Sequence, residues 1–149
     1  IFGTGKWYYQ QILDKAAERG IEIKDNIQVK DYIEDMENYL AACDLVISRA
    51  GALSVAETTV CGKAAILVPS PNVTGNHQYY NAKAVADRGG AILLEEKDMT
   101  AEGLIREVMQ LKNHPELTEA MGKASRACAP VHALDIIYDT IIKNQKNKK

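Results

Sequence analysis

Two runs, LVIS (45–48) and AAILV (64–68), are apolar along almost their whole length, and each leads through a loop into a segment whose apolar residues recur at helical spacing. A strand without alternation buries both faces, which is the habit of parallel sheets whose crossover helices cover them on either side. The rest of the chain keeps the same rhythm. IQVKDYI (27–33) alternates Ile, Val and Tyr with polar residues and reads as a strand, and 91–94 reads as the last one. Helices are predicted over 7–19, 36–42, 53–61 and from Asn76 to about Arg88, with Gly20, Gly62 and the Gly89–Gly90 pair as stops. Beyond the last strand the chain is helical only: Thr100 caps one helix, Pro115 opens another, and Leu134, Ile137, Tyr138, Ile141 and Ile142 stripe a terminal one. The fold class is therefore α/β, a Rossmann-like parallel sheet with helices on both faces.

With 149 residues, 46% of them hydrophobic, the chain suffices for one domain, 1–149, with a real core. A net charge of −2 with both signs interspersed gives no reason to expect a nucleic-acid partner, and the basic tail KNQKNKK (143–149) reads as a solvated end. Cys43, Cys61 and Cys128 have neither disulfide nor metal-ligand spacing, and inert, mostly buried thiols in a reducing compartment are expected. No apolar run reaches the roughly 20 residues that span a bilayer, so a cytoplasmic protein is expected. The opening IFGTG looks like a strand already ending, and a fragment of a longer protein is expected.

In such sheets ligands bind where strands end and helices begin. That rule names GTGK (3–6), DYIEDM (31–36), SRAGALS (48–54) and SPNVTGNHQ (70–78). In SRAGALSVAE (48–57), Gly51 allows a close ligand approach or a turn that a side chain forbids. The following helix start offers free N–H groups to a phosphate, and Ser54 adds a hydroxyl. Glu57, one turn on, is placed to accept from ribose hydroxyls. An S-x-x-E capping box accounts for Ser54 and Glu57 equally well. In GNHQYYNA (75–82), His77 and Gln78 offer hydrogen-bonding ends suited to sugar hydroxyls and Asn81 lies one turn on, or the segment is simply a solvated helix start capped by Asn76. In DYIEDM, Tyr32, Ile33 and Met36 give an apolar surface for a flat base; core packing is the other reading, and for Met36 the better one. No G-x-G-x-x-G, Walker A loop or G-x-S-x-G is present, which argues against a dinucleotide oxidoreductase, a P-loop enzyme and a serine hydrolase.

YIEDM (32–36), ACDLVISRAGALSVAE (42–57) and GKAAILVPSPNVTGNHQYYNA (62–82) together resemble the C-terminal, donor-binding domain of the MurG family of glycosyltransferases, which have the GT-B fold and the glycosyltransferase family 28 C-terminal domain. The resemblance covers essentially the whole chain. It implies that the backbone at Ile33 reads the uracil edge with Tyr32 close to the base. It places Ala52, Leu53 and Ser54 at the diphosphate and sugar, with Ser54 stabilising the leaving group and Glu57 holding the ribose. Gln78 and His77 would contact hydroxyls of N-acetylglucosamine, with Asn81 supporting them; Arg49 matches a family position without an assigned contact.

The resemblance further implies an inverting transfer of N-acetylglucosamine from UDP-N-acetylglucosamine to undecaprenyl-diphospho-muramoyl-pentapeptide in peptidoglycan synthesis. No cofactor is required by that expectation, and no D-x-D or His/carboxylate cluster is there to anchor a metal. The family's first strand and glycine-rich turn, and the N-terminal acceptor domain with its presumed base, are expected to be missing from this sequence, and the chain alone is expected to be inactive. The full-length protein would be peripheral on the inner face of the plasma membrane, meeting its lipid-linked acceptor through that other domain. A donor domain of another GT-B transferase, or a non-catalytic nucleotide-sugar module, stays open.

Overall fold

The computed structural model describes residues 1–146, so 147–149 of the basic tail lie outside the described residues. The chain forms two compact units, Ile1–Tyr39 and Leu40–Lys149.

In the first unit, β1 (Phe2–Gly3) and β2 (Val29–Lys30) pair in parallel, Phe2 opposite Val29 and Gly3 opposite Lys30, with α1 (Tyr9–Glu18) between them in sequence. The strand predicted over 27–33 is thus only two residues long. Local turns take both of its ends: the Ile27 N–H donates to the Lys24 carbonyl at 2.8 Å, and the Tyr32 N–H donates to the Asp31 side chain at 2.8 Å. Helix α1 starts later than its apolar pattern suggests, because a turn closed by Tyr8 N–H to Gly5 O occupies the preceding residues. It ends at Gly20, whose φ of +64° suits glycine. Helix α2 (Met36–Ala42) follows.

The second unit is built on a parallel three-stranded sheet in the order β3 (Leu45–Ser48), β4 (Ala64–Leu67), β5 (Ile92–Leu93), with Ser48 opposite Leu67 and Leu67 opposite Leu93. The described strands therefore make two parallel sheets where one was expected. Alternation along β4 sends Ala65 and Leu67 to one face, against Val55 of α3 (Ala52–Val60) and Ala82 and Val85 of α4 (His77–Ala86). Ile66 and Val68 go to the other, against Leu104, Val108 and Leu111 of α5 (Ala101–Asn113) and Met121 of α6 (Pro115–Ala127). Both faces of β4 are covered, which is why its sequence shows no alternation. The edge strand β3 differs, since Ile47 is 48% exposed.

Thr100 caps α5 by accepting from the Gly103 N–H, and Pro115 occupies the first turn of α6, both as predicted. The terminal stripe forms α7 (Ala133–Lys146). Gly90 allows a close approach: a Cβ there would lie 2.8 Å from Ser125 N and Cα and 2.9 Å from Val85 Cγ1. The cysteines are free, but Cys61 is exposed rather than buried, because it sits on the C-terminal cap of α3. Burial pushes the Cys43 thiol up from its ordinary pKa.

Candidate functional site

The chain leaves β3 at Ser48 and enters α3 at Ala52, so three residues, Arg49, Ala50 and Gly51, make the whole turn. Gly51 is the N-cap, with φ −63° and ψ 149° and no capping side chain. Any residue adopts that backbone, so of the two reasons predicted for a glycine the strained turn does not apply. A Cβ built on Gly51 would meet nothing closer than Ser54 Oγ at 3.9 Å. Its bareness keeps an open surface beside the Ser54 hydroxyl.

Placing the cap at Gly51 also removes the capping-box reading. That motif needs serine at the cap and glutamate three residues on. Here Ser54 is the third helical residue and Glu57 the sixth, so neither satisfies the helix start. The first intrahelical bond runs from Val55 N–H to Gly51 O at 2.9 Å. Among the described residues, the N–H groups of Gly51, Ala52, Leu53 and Ser54 and the Ser54 hydroxyl have no protein partner. Leu53, an apolar residue beside them, is 78% exposed. Glu57 is exposed and forms no ion pair among the described residues. A helix dipole, four free donors and a hydroxyl, followed by an unpaired carboxylate, suit an anion joined to a vicinal diol.

The turn is anchored from behind. Asn81 Nδ2 donates to the Ala50 carbonyl at 3.0 Å, and Ala50 is fully buried. In a trans peptide the N–H opposes the C=O, so this bond turns the Gly51 N–H away from α4. Asn81, expected to support His77 and Gln78, thus has its side-chain contact with the backbone of the β3–α3 turn. Gln78 also braces a loop: its Oε1 accepts from the Ser70 N–H at 2.9 Å, and its NH2 group has no protein partner among the described residues. His77 Nδ1 donates to Thr74 O at 2.8 Å, and the exposed ring has Nε2 without a protein partner among the described residues. Asn76 stands at the N-cap of α4 but makes no side-chain capping bond, contrary to prediction. It takes a left-handed conformation, φ 52° and ψ 29°, directly after Gly75 at φ 64°.

Arg49 crosses the C-terminal edge of the sheet. Its Nη1 lies 2.6 Å from Glu96 Oε2, on the 3-10 turn after β5, and 3.5 Å from the Val68 carbonyl at the end of β4. A cleft of about 380 Å³ opens at this same edge, lined by Pro69, Asn76, Tyr79, Glu95 and Glu96 among others; neither His77 nor Gln78 lines it. The loop after β5 is absent from the places named by sequence, although the rule about strand ends applies to it equally. A larger cleft of about 990 Å³ lies at the opposite end, where Leu45 and Ala64 begin their strands. That is not the end of the strands at which parallel sheets bind ligands.

In the first unit, Tyr32 is 66% exposed and its N–H is engaged by Asp31. Ile33 is half-buried with its side chain against Gly3, while its own backbone N–H and C=O have no partner among the described residues. Met36, expected in the core, is exposed, because it lies at the first position of α2.

Residues 1–136 match the glycosyltransferase family 28 C-terminal domain. The chain belongs to that family. A relative from Clostridioides difficile (strain 630), named UDP-N-acetylglucosamine--N-acetylmuramyl-(pentapeptide) pyrophosphoryl-undecaprenol N-acetylglucosamine transferase, is 43% identical over 143 residues, covering 96% of this chain and 34% of the relative. One of the same name from Leuconostoc citreum (strain KM20) is 38% identical over 149 residues, covering 100% and 40%. The chain thus spans between a third and two fifths of these relatives. The crystal structure of Acinetobacter baumannii MurG is similar with a TM-score of 0.75 and 33% identity, over 92% of this chain and 40% of that one. The glycosyltransferase VinC shares the fold at a TM-score of 0.60 and 20% identity. This family 28 domain therefore has parallel sheets with helices on both faces, the fold it shares with those glycosyltransferases. Among the described residues no helix is long and apolar enough to cross a membrane, and no group of three or more His, Cys, Asp or Glu side chains is gathered to hold a metal ion.

Proposed function

We propose that this chain is the donor-binding part of an inverting glycosyltransferase that moves N-acetylglucosamine from UDP-N-acetylglucosamine to an undecaprenyl-diphospho-muramoyl-pentapeptide acceptor. The observation that carries the reading is the β3–α3 turn, with unpartnered N–H groups from Gly51 to Ser54 and a free Ser54 hydroxyl in a family 28 domain. The names of the relatives support the choice of donor and acceptor.

In the reaction an acceptor hydroxyl forms a new bond to the anomeric carbon of N-acetylglucosamine. The bond from that carbon to the diphosphate oxygen breaks, and the hydroxyl proton passes to a base outside this chain, on an acceptor domain. Negative charge grows on the departing UDP. Backbone donors fixed before the reaction stabilise it without reorganising, and the helix dipole adds to them. Glu57 accepts from the ribose hydroxyls, and the free backbone groups of Ile33 read the uracil edge beside Tyr32. His77 Nε2 and the Gln78 NH2 group bind sugar hydroxyls, while Asn81 holds the turn.

Calorimetric titration tests this reading. UDP should bind clearly more tightly than ADP or NAD; equal binding of all three overturns it. Gln78→Ala and His77→Ala should weaken UDP-N-acetylglucosamine more than UDP, and equal losses would refute the sugar assignment. The chain by itself should transfer nothing to a lipid-linked acceptor.

A further inference from the structure

Arg49 is the one arginine in the three loops that leave β3, β4 and β5, and the structure shows it engaged by a carboxylate rather than free. It directly precedes Ala50 and Gly51, whose turn opens α3, and its guanidinium lies across the end of β4 to reach Glu96. The only lysine in those loops, Lys97, is paired with Glu95 at 3.2 Å. The loop after β5 thus brings Glu95, Glu96 and Asp98 to an edge where the sequence supplies two cations.

A diphosphate seated at this turn would add at least two negative charges close to that acidic loop. Arg49 and Glu96 are about half exposed, so their pairing is of the weak, exchangeable kind. A guanidinium also binds phosphate oxygens with the same forked geometry that it offers a carboxylate. We propose that Glu96 is a built-in competitor for the donor: it holds Arg49 across the strand ends, and the diphosphate takes Arg49 from it. Arg49 is then a donor-binding residue, and Glu96 a positioning residue that lowers diphosphate affinity. This rests on the reading of the β3–α3 turn as the diphosphate seat.

A double-mutant cycle tests it, with UDP and uridine as calorimetric probes and thermal midpoints as the folding control. Glu96→Gln should tighten UDP about two- to five-fold, the scale of one exposed ion pair. Arg49→Gln should weaken UDP about ten-fold or more, as expected for a lost charge-assisted hydrogen bond. In the double variant the gain from Glu96→Gln should vanish, because no guanidinium is left to release. Uridine, which has no phosphate, should bind all four proteins alike.

Several results overturn the proposal: Glu96→Gln leaving UDP unchanged or weaker, or giving the same gain with and without Arg49. If UDP binds more tightly than uridine and Arg49→Gln has no effect, the competitor idea fails while the diphosphate seat stands. If the unaltered protein binds UDP no better than uridine, the seat itself fails and the competitor with it.

Discussion

Gly51→Ala separates a glycine kept for a ligand from one kept for the fold. Gly51 has φ −63° and ψ 149°, and an added Cβ finds its nearest neighbour at 3.9 Å, so the folded chain accepts a methyl there without strain. Two small effects on stability oppose each other. Alanine is a poorer N-cap than glycine by up to about 1 kcal/mol, whereas it lowers the entropy of the unfolded chain by an amount worth about 0.4–1 kcal/mol. The net change should stay within about 1 kcal/mol, or a midpoint shift under about 4 °C for a chain of this size. Binding should respond differently. A methyl at the mouth of the turn keeps a phosphate from the Gly51, Ala52 and Ser54 donors, and losing a single hydrogen bond to a charged group costs about 1.5–3 kcal/mol, at least ten-fold in affinity. Gly51→Ser sharpens the contrast, because serine is a good N-cap and should raise the midpoint while still crowding the seat. Calorimetry with UDP and a thermal melt on the same preparations give both numbers. Unaltered UDP affinity in Gly51→Ala, or a midpoint more than about 4 °C lower, would refute the reasoning.

Gly90→Ala should do the reverse, destabilising by about 1–3 kcal/mol in a denaturant melt because its Cβ would meet Ser125 backbone at 2.8 Å, with UDP affinity per folded molecule retained. Glu57→Ala, at an exposed and unpaired side chain, should leave the melt unchanged but weaken UDP about ten-fold or more. The same variant should lose most of the preference for UDP over 2′-deoxy-UDP, and a retained preference would show that another group holds the ribose. With a thiol-alkylating reagent, mass spectrometry should find exposed Cys61 modified before Cys43. Burial holds the Cys43 thiol protonated to higher pH, so its thiolate fraction and its labelling rate should rise only as the solution becomes more alkaline than an ordinary thiol requires; equal rates for the two sites would contradict that.

The second unit's layers were legible because β4 has both faces covered, and the sequence records this as an unbroken apolar run. The first unit was harder to read. Alternation over 27–33 resembles a strand, but whether Tyr32 joins the ladder depends on the Asp31 side chain capturing its N–H, a local competition that spacing does not encode. The strand-end rule named the β3–α3 turn as a candidate from residue types alone. It could not say which residue would be the cap, and that choice decides between a capping box and a bare helix start. Nor could it find Arg49–Glu96 or Asn81–Ala50, whose partners lie 47 and 31 residues apart in sequence.

Those long-range contacts divide the signature into two kinds of polar group. Asn81 uses its NH2 group on Ala50, and Gln78 its carbonyl on Ser70. Thr58 and Thr59, both buried, return their hydroxyls to carbonyls one turn back in α3. Each of these atoms has a structural partner. Ser54 Oγ, the first N–H groups of α3, the Glu57 carboxylate and the Ile33 backbone have none among the described residues. Folding alone does not call for these groups to be left without a protein partner. In the second unit, donors at a helix start followed by an unpaired carboxylate are the complement that a phosphate joined to a vicinal diol requires.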